Sequence, residues 1–349
     1  MPTTLSARET ATNIEDMLEQ QVDYREARVV DLGITSVLIR SNVPKFSGYR
    51  YFSRLHEPRP GERAPYELYC VDLNHGHSLD EAVVEAHADT SFRGKRFSGG
   101  FYLTYHFGAP ASLITRGNRH YIVGHNLDRI IWGWYTKYIL TVHSFSVGSL
   151  HLKAACFAID GEGTLLIGRG SGGKTVLLTQ FCQDGATFIS NTHSIIDHQQ
   201  IAHGVPTTLR VRDDACFGAL TRSGQLEPHL DQGEYIADPE LLFACSASSA
   251  RVRNICIVDY RPEEGSVIRP LGSEETYDMF EQFGFPINTY GMKDDVLEFC
   301  HGDTGEFLTV YANAKRQLRE LVNVSRCLYV NSDMLNLKER ARLREALQD

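Results

Sequence analysis

The sequence predicts a two-domain protein of mixed α/β and α+β class, with an N-terminal α+β domain over residues 1–126 and a second domain, built on a mixed sheet, over residues 127–349. Three observations predict it. Short apolar runs rich in β-branched residues, punctuated by Gly, Asn and Pro, dominate the first third of the chain. Further on, the pattern becomes strand, glycine loop, helix: Thr164-Leu165-Leu166-Ile167, then Gly168-Arg169-Gly170-Ser171-Gly172-Gly173-Lys174-Thr175, then an apolar run over 176–181. A chain of 349 residues is also long enough to divide its apolar residues between two cores.

In order along the first domain, Ser6-x-x-Glu9 is a capping-box pattern, and Ile14, Met17 and Leu18 follow at helical spacing, which predicts a short amphipathic opening helix. Strand-like runs occupy 28–40, 66–73, 101–107 and 120–123. Ser78-x-x-Glu81 predicts a small helix through Val83 and Val84. Residues 127–140 are apolar all round apart from Arg129 and Lys137, the pattern of a buried helix between the domains.

In the second domain, runs over 152–159 and 164–167 flank Asp160-Gly161-Glu162-Gly163, so they read as a hairpin whose second strand feeds the glycine loop. The helix after the loop is expected to stop at Asp184-Gly185, where glycine suits a left-handed cap. Residues 187–190 then form a strand that delivers Asn191, Thr192 and His193 at its C-terminal end, the end at which α/β sheets bind ligands. Later strands are expected at 209–212, 255–259 and 327–330, with a helix over 312–322.

The loop at 168–175 meets the pattern G-x-x-x-x-G-K-[ST] without a mismatch. Gly168, Gly170, Ser171, Gly172 and Gly173 let consecutive amides turn onto phosphate oxygens, and the following helix offers its positive end to the same anion. Lys174 is expected to neutralise the β- and γ-phosphates, and Thr175 to hold Mg2+.

Ser149-Leu150-His151, the hairpin, the glycine loop, Asp184-Gly185 and the strand at Ile189-Ser190 together resemble the ATP-binding domain of the HPr kinase family, which is related to the phosphoenolpyruvate carboxykinases. The resemblance covers roughly residues 128–270 and, more loosely, the helix and strand ending near Val330. It implies an HPr-kinase-like P-loop domain that binds ATP and Mg2+ and passes the γ-phosphate to an acceptor hydroxyl. The family ends the strand after the P-loop helix in two aspartates, which bind Mg2+ and polarise the acceptor; here those positions read Asn191 and Thr192. His193 is then the nearest candidate base and Asp197 the nearest carboxylate, while Asn191 offers Mg2+ an amide oxygen. His151 falls where the family places a histidine before the hairpin. Phosphoryl transfer depends mostly on positioning and charge neutralisation, so the exchange of the aspartates leaves a kinase expected. The acceptor is expected to be a small metabolite or natural-product intermediate, bound by the N-terminal domain, in preference to a serine of a peptide or protein. An ATP-binding regulatory module without chemistry is the alternative. An ATPase that couples hydrolysis to movement is less expected, because no apolar strand is recognisable as ending in a Walker-B aspartate.

Composition narrows the remainder. A formal charge of −9 argues against a nucleic-acid partner, and no apolar run is long enough to span a membrane. The start of the chain lacks a signal-peptide pattern, and eight scattered cysteines without a C-x-x-C pair read as reduced core thiols, so the expected location is the cytoplasm. A homo-oligomer stays open. Arg210 with Arg212 and Arg251 with Arg253 each share one strand face, where they clamp phosphate or simply meet solvent. Asn288, Lys293, Asp294 and Asp295 are candidates for a substrate lid. His75-x-His77 with His87 and Asp89 invites a metal test, although nothing in the spacing fixes the convergence that zinc needs.

Overall fold

The computed structural model describes residues 15–75, 95–96, 111–229 and 233–348, and its backbone divides into two compact units, Met1–Lys137 and Tyr138–Asp349. The division falls inside the helical stretch expected at 127–140, somewhat after the boundary at 126. That stretch opens at Asp128–Ile130, widens into a π-helical turn at Ile131–Tyr135 and continues as α1 (Thr136–Ser146). The capping box at Ser6, the helix at Ser78 and the strand at 101–107 lie outside the described residues, as do His77, His87 and Asp89.

The first unit holds a seven-stranded mixed sheet in the order β3-β1-β2-β4-β7-β6-β5. Its strands are β1 (Glu26–Asp31), β2 (Ser36–Ser41), β3 (Leu55–His56), β4 (Tyr66–Asp72), β5 (Lys95–Arg96), β6 (Ala111–Arg116) and β7 (Arg119–Gly124). The run expected over 28–40 is thus two antiparallel strands joined by a turn at Gly33, whose φ is +84°. Tyr69, Val71, Ile114, Tyr121 and Val123 project from β4, β6 and β7 to one face, where Leu18 and Val22 close over them. The Tyr69 and Tyr121 rings stack there at 5.1 Å. The α+β expectation for this region agrees with the described mixed sheet.

The second unit is built on a nine-stranded mixed sheet with main order β11-β9-β10-β17-β13-β12-β8, to which β19 and β18 are attached beside β17. The strands are β8 (Leu150–Leu152), β9 (Ala155–Ile159), β10 (Glu162–Ile167), β11 (Thr187–Ser190), β12 (Ser194–Ile196), β13 (Ile201–Gly204), β17 (Ser249–Val258), β18 (Val267–Pro270) and β19 (Arg326–Asn331). A small separate sheet joins β14 (Leu209–Arg212), β15 (Glu227–Pro228) and β16 (Glu234–Ala237). The hairpin β9–β10 turns on Asp160 and Gly161, both with positive φ (+52° and +84°), the geometry that an Asp-Gly pair favours in a two-residue turn.

Parallel strands buried on both faces read as continuous apolar runs. Residues 164–167 and 255–258 are such runs, and β10 and β17 are the parallel centre of the sheet. Their side chains alternate between two cores. Leu165, Ile167, Ile255 and Ile257 meet α3 (Ser273–Phe283) and α4 (Thr304–Val324) through Tyr277, Phe280, Leu318 and Leu321. Leu166, Cys256 and Val258 meet α2 (Lys174–Gln183) and α5 (Leu337–Gln348) through Leu177, Phe181, Leu343 and Leu347. Helices on both sides thus hold the central strands rigid at the end where the glycine loop begins. All eight cysteines are free, but only six are buried; Cys216 is half-buried and Cys245 exposed, so those two are not core thiols.

Candidate functional site

The site is set by strand direction. β10 and β17 run parallel, β9 is antiparallel to β10, and β11 is antiparallel to β9. The C-terminal ends of β10, β11 and β17 and the N-terminal end of β9 therefore lie at one edge of the sheet. That edge receives the glycine loop, Asn191–His193, Asp259 and the β8–β9 bend, the place where α/β sheets gather ligand-binding groups.

The loop is shaped by contacts that exclude side chains. Gly168 has φ +144°, and a Cβ there would lie 2.2 Å from the Val258 carbonyl oxygen. Gly173, with φ +92°, caps α2, and a Cβ on it would come within 3.2 Å of Tyr260 Cβ. Ser171 adopts φ +58°, and the Tyr260 amide donates to the Gly172 carbonyl at 3.1 Å. Gly170 faces open space, so its side-chain hydrogen is a convenience of the loop rather than a steric need.

Lys174 heads α2 and folds its ammonium back onto the loop, donating to the carbonyls of Gly168 at 2.7 Å and Arg169 at 2.6 Å. Burial, then the charges of Lys153 and Arg169, push its pKa down to about 8. Thr175 follows in the first turn of α2, half-buried.

The apolar run ending in Asp259 brings to this edge a carboxylate that no sequence motif marks. Asp259 follows the last residue of β17, directly beside the loop. The expectation that no apolar strand ends in such an aspartate is overturned by the pairing of β17 with β10, which places the run 255–258 next to the loop strand. Asp259 Oδ1 accepts from Arg169 Nε at 2.6 Å, and Oδ2 pairs with Arg261 Nη2 at 2.7 Å. Burial raises the carboxyl pKa, and the two guanidinium groups outweigh it and hold the group below its ordinary range. Asn331, at the end of β19, fixes Arg261 in turn by accepting from its amide at 2.7 Å.

His151 and His193 are brought together. Both are buried; β8 and β12 pair so that His151 stands opposite Ile195, and His151 Nε2 lies 3.0 Å from His193 Nδ1. On the far side, His151 Nδ1 is 2.9 Å from the Thr141 hydroxyl of α1, which also reaches Met292 Sδ at 3.8 Å. A hydroxyl carries one proton. The chain Thr141–His151–His193 can carry its protons in either direction; in the direction in which His193 holds its proton on Nδ1 and donates it to His151 Nε2, its Nε2 is the basic nitrogen. The His193 ring also meets the Tyr290 ring, with centroids 6.2 Å apart.

Asn191 stands at the tip of β11, and its Nδ2 donates to the Thr208 carbonyl at 3.4 Å, which orients Oδ1 as an acceptor. Asp197 is not brought to this edge. It lies at the other end of β12, where its carboxylate accepts from the amides of Gln199 and Ile201 and meets His203 Nε2 at 2.9 Å. Burial raises its pKa, and the bonds from His203 and the turn amides reverse the shift and lower it. Asp197 closes the β12–β13 turn.

The arginine pairs also lie elsewhere. Arg210 and Arg212 both pair with Glu234 on the neighbouring strand, at 3.6 and 2.5 Å. Arg253 pairs with Glu162 at the start of β10, away from the loop, and Arg251 is level with the same residue. Asn288, Lys293 and Asp294 line a cleft of about 650 Å3 with Glu281, Tyr311 and Lys315, while Asp295 is buried. Among the described residues, no group of three or more His, Cys, Asp or Glu side chains converges as a metal site.

Lys153, at the β8–β9 bend, was hidden inside the run 152–159, which breaks there into two strands. Its Nζ lies 5.3 Å from the centre of the Tyr290 ring. The chain matches no protein-family model and no curated protein. No described helix is long and apolar enough to cross a membrane.

Proposed function

We propose that this protein is an ATP-dependent kinase that passes the γ-phosphate to an acceptor hydroxyl, with an HPr-kinase-like P-loop domain in the second unit. The observation that carries the proposal is the loop itself: a glycine cradle whose backbone leaves no room for Cβ at Gly168, Lys174 at the head of the following helix, and Asp259 at the end of the adjacent parallel strand. The donor set fits a magnesium nucleoside triphosphate. Loop amides and Lys174 suit the phosphates, while the Thr175 hydroxyl, the Asp259 carboxylate and the Asn191 amide oxygen are hard oxygen ligands of the kind Mg2+ takes. When bound, Mg2+ neutralises charge on the phosphates and thereby lowers the barrier to transfer.

The chain's own groups then divide the work. Lys174 leaves the Gly168 and Arg169 carbonyls for the anion, and Arg169 is drawn from Asp259 by the same charge. His193, in the tautomer that carries its proton on Nδ1 toward His151, accepts the acceptor's hydroxyl proton at Nε2. A small metabolite or natural-product intermediate is the preferred acceptor, ahead of a peptide serine, and the cytoplasm is the proposed location. Asp259 favours a second reading, an ATPase, because a carboxylate at this place can also order a water molecule.

One experiment separates the readings. The protein is incubated with Mg·ATP and an extract of metabolites and peptides, and new phosphate adducts are sought by mass spectrometry. A phosphorylated acceptor that disappears with Lys174→Ala supports the kinase; ADP and inorganic phosphate without an adduct support the ATPase. Nucleotide binding without turnover identifies a regulatory module, and the absence of binding refutes all three.

A further inference from the structure

We propose that Lys153 is a second phosphate-binding cation, placed beside Lys174 and reserved for the terminal phosphoryl group of the nucleotide. The inference rests on the nucleotide reading above and adds to it a residue that no motif marks.

The position follows from strand register. β9 and β10 pair with Ala155 opposite Leu166, and continuing that register sets Lys153 opposite Gly168, the first residue of the loop. The Lys153 amide donates to the Gly284 carbonyl at 2.8 Å, which holds the bend at this level. From there the side chain runs to Tyr290, whose ring also meets His193. Lys153 therefore stands between the loop lysine and the candidate base.

Among the described residues, no carboxylate lies within ion-pair distance of Lys153 Nζ, which faces the ring of Tyr290. Burial lowers its pKa, and its charge in turn lowers that of Lys174. Asp259, the carboxylate at this edge, is already taken by Arg169 and Arg261. Two like charges withdrawn from water are a standing cost unless an anion joins them. Lys174 reaches that anion from the loop side and Lys153 from the His193 side. The phosphoryl group nearest the acceptor base is the terminal one, so a triphosphate engages both lysines and a diphosphate engages Lys174 alone.

The test compares ATP and ADP, each displacing a fluorescent mant-nucleotide in the presence of Mg2+, from the full chain and from Lys153→Met, Lys153→Arg and Lys174→Ala. Lys153→Met is expected to weaken ATP by roughly 10- to 150-fold, the worth of one charge-assisted hydrogen bond, and to leave ADP within about twofold. Lys153→Arg is expected to keep most of the preference for ATP. Melting without nucleotide checks the fold, and Lys153→Met is expected to melt no lower than wild type because a buried repulsion has gone. An unchanged ATP-to-ADP ratio in Lys153→Met overturns the proposal, and so does equal weakening of both nucleotides, the mark of a structural role. Either result leaves the nucleotide reading standing. If wild type binds neither nucleotide, or Lys174→Ala binds as wild type does, that reading fails and the proposal with it.

Discussion

Replacing Gly168 by alanine isolates the steric content of the loop. The new Cβ would lie 2.2 Å from the Val258 carbonyl oxygen, whereas real Cβ contacts stay beyond 3.0 Å, and φ at this residue is +144°. The obstacle is backbone at the end of β17, packed on both faces, so it cannot turn aside as a side chain does. Forcing a non-glycine residue into this region costs about 1–3 kcal/mol, and overpacking against a rigid neighbour adds about 1–3 kcal/mol. For a unit of roughly 200 residues each kcal/mol lowers the melting temperature by about 2–4 °C, so Gly168→Ala is expected to lose roughly 5–20 °C. Gly170→Ala is the control: a Cβ there meets nothing within 4 Å, and the change is expected to stay within about 0.5 kcal/mol of wild type. Thermal melts monitored by circular dichroism, followed by nucleotide titration at a temperature where every variant is folded, read both effects. Equal melting of the two variants, or a Gly168→Ala loop that binds nucleotide as wild type does, refutes the reasoning.

Three further outcomes follow from the same edge of the sheet. Because Lys174 in the folded protein titrates near pH 8, well below the ordinary lysine value of 10.5, the folded state binds fewer protons than the unfolded state between those values. Lys174 therefore contributes stability that rises with pH across that window, and nucleotide binding at pH 8.5 is expected to take up a proton; calorimetry in buffers of different ionisation enthalpy should show it, and a buffer-independent heat would contradict it. Asp259→Asn is expected to abolish the strengthening of nucleotide binding by Mg2+ while sparing binding in EDTA, and an undiminished Mg2+ effect would remove Asp259 from the metal site. Thr141→Val is expected to slow transfer by roughly 10-fold or more through loss of the His193 tautomer, with His193→Ala slowing it by about 10²- to 10⁴-fold, both at nearly unchanged ATP affinity. Nitrogen chemical shifts of the two imidazoles check the tautomer directly, and an Nε2–H form of His193 in the wild-type protein sinks the assignment.

Local chemistry made much of the second unit legible. The Asp160-Gly161 turn, the glycine loop, the stop at Asp184-Gly185 and the strand at 187–190 all depend on neighbours a few residues away, and each lies where its residue types require. Lys153 was illegible because the break between β8 and β9 is imposed from elsewhere, by the Gly284 carbonyl and by the pairing of β8 with β12. Asp259 is legible in the sequence as the end of a strand but not as a candidate ligand, since that reading depends on which strand lies beside it. Asp197 failed for the converse reason. Six residues after Asn191 seemed close, yet β12 leads away from the edge, and the carboxylate is spent on a turn. Residue distance predicts shared chemistry only when the intervening strand doubles back.

Under the kinase reading proposed above, the electrostatics of the edge bear on the presence of Asn191 and Thr192, in place of aspartates, at the tip of β11. The protein carries a formal charge of −9, yet around the glycine loop the cations Lys153, Lys174, Arg169 and Arg261 outnumber the carboxylates that pair with them, Asp259 and, on Arg261, Glu264. A strand tip with two aspartates would pull the local balance back toward neutrality and compete with the phosphates for the same cations. With Asn191 and Thr192 in those places, no strand-tip carboxylate would compete with the proposed nucleotide for these cations, and Asp259, at the parallel neighbour of the loop strand, would be a candidate metal-holding residue together with Thr175. The cost is a weaker acceptor at the tip of β11, and the buried His151–His193 pair is the group placed to offset it, because a neutral imidazole takes a proton without adding negative charge beside the phosphates. On the proposed reading Lys153 and His193 would be coupled: the lysine would draw the terminal phosphoryl group toward the base, and removing either would strand the other.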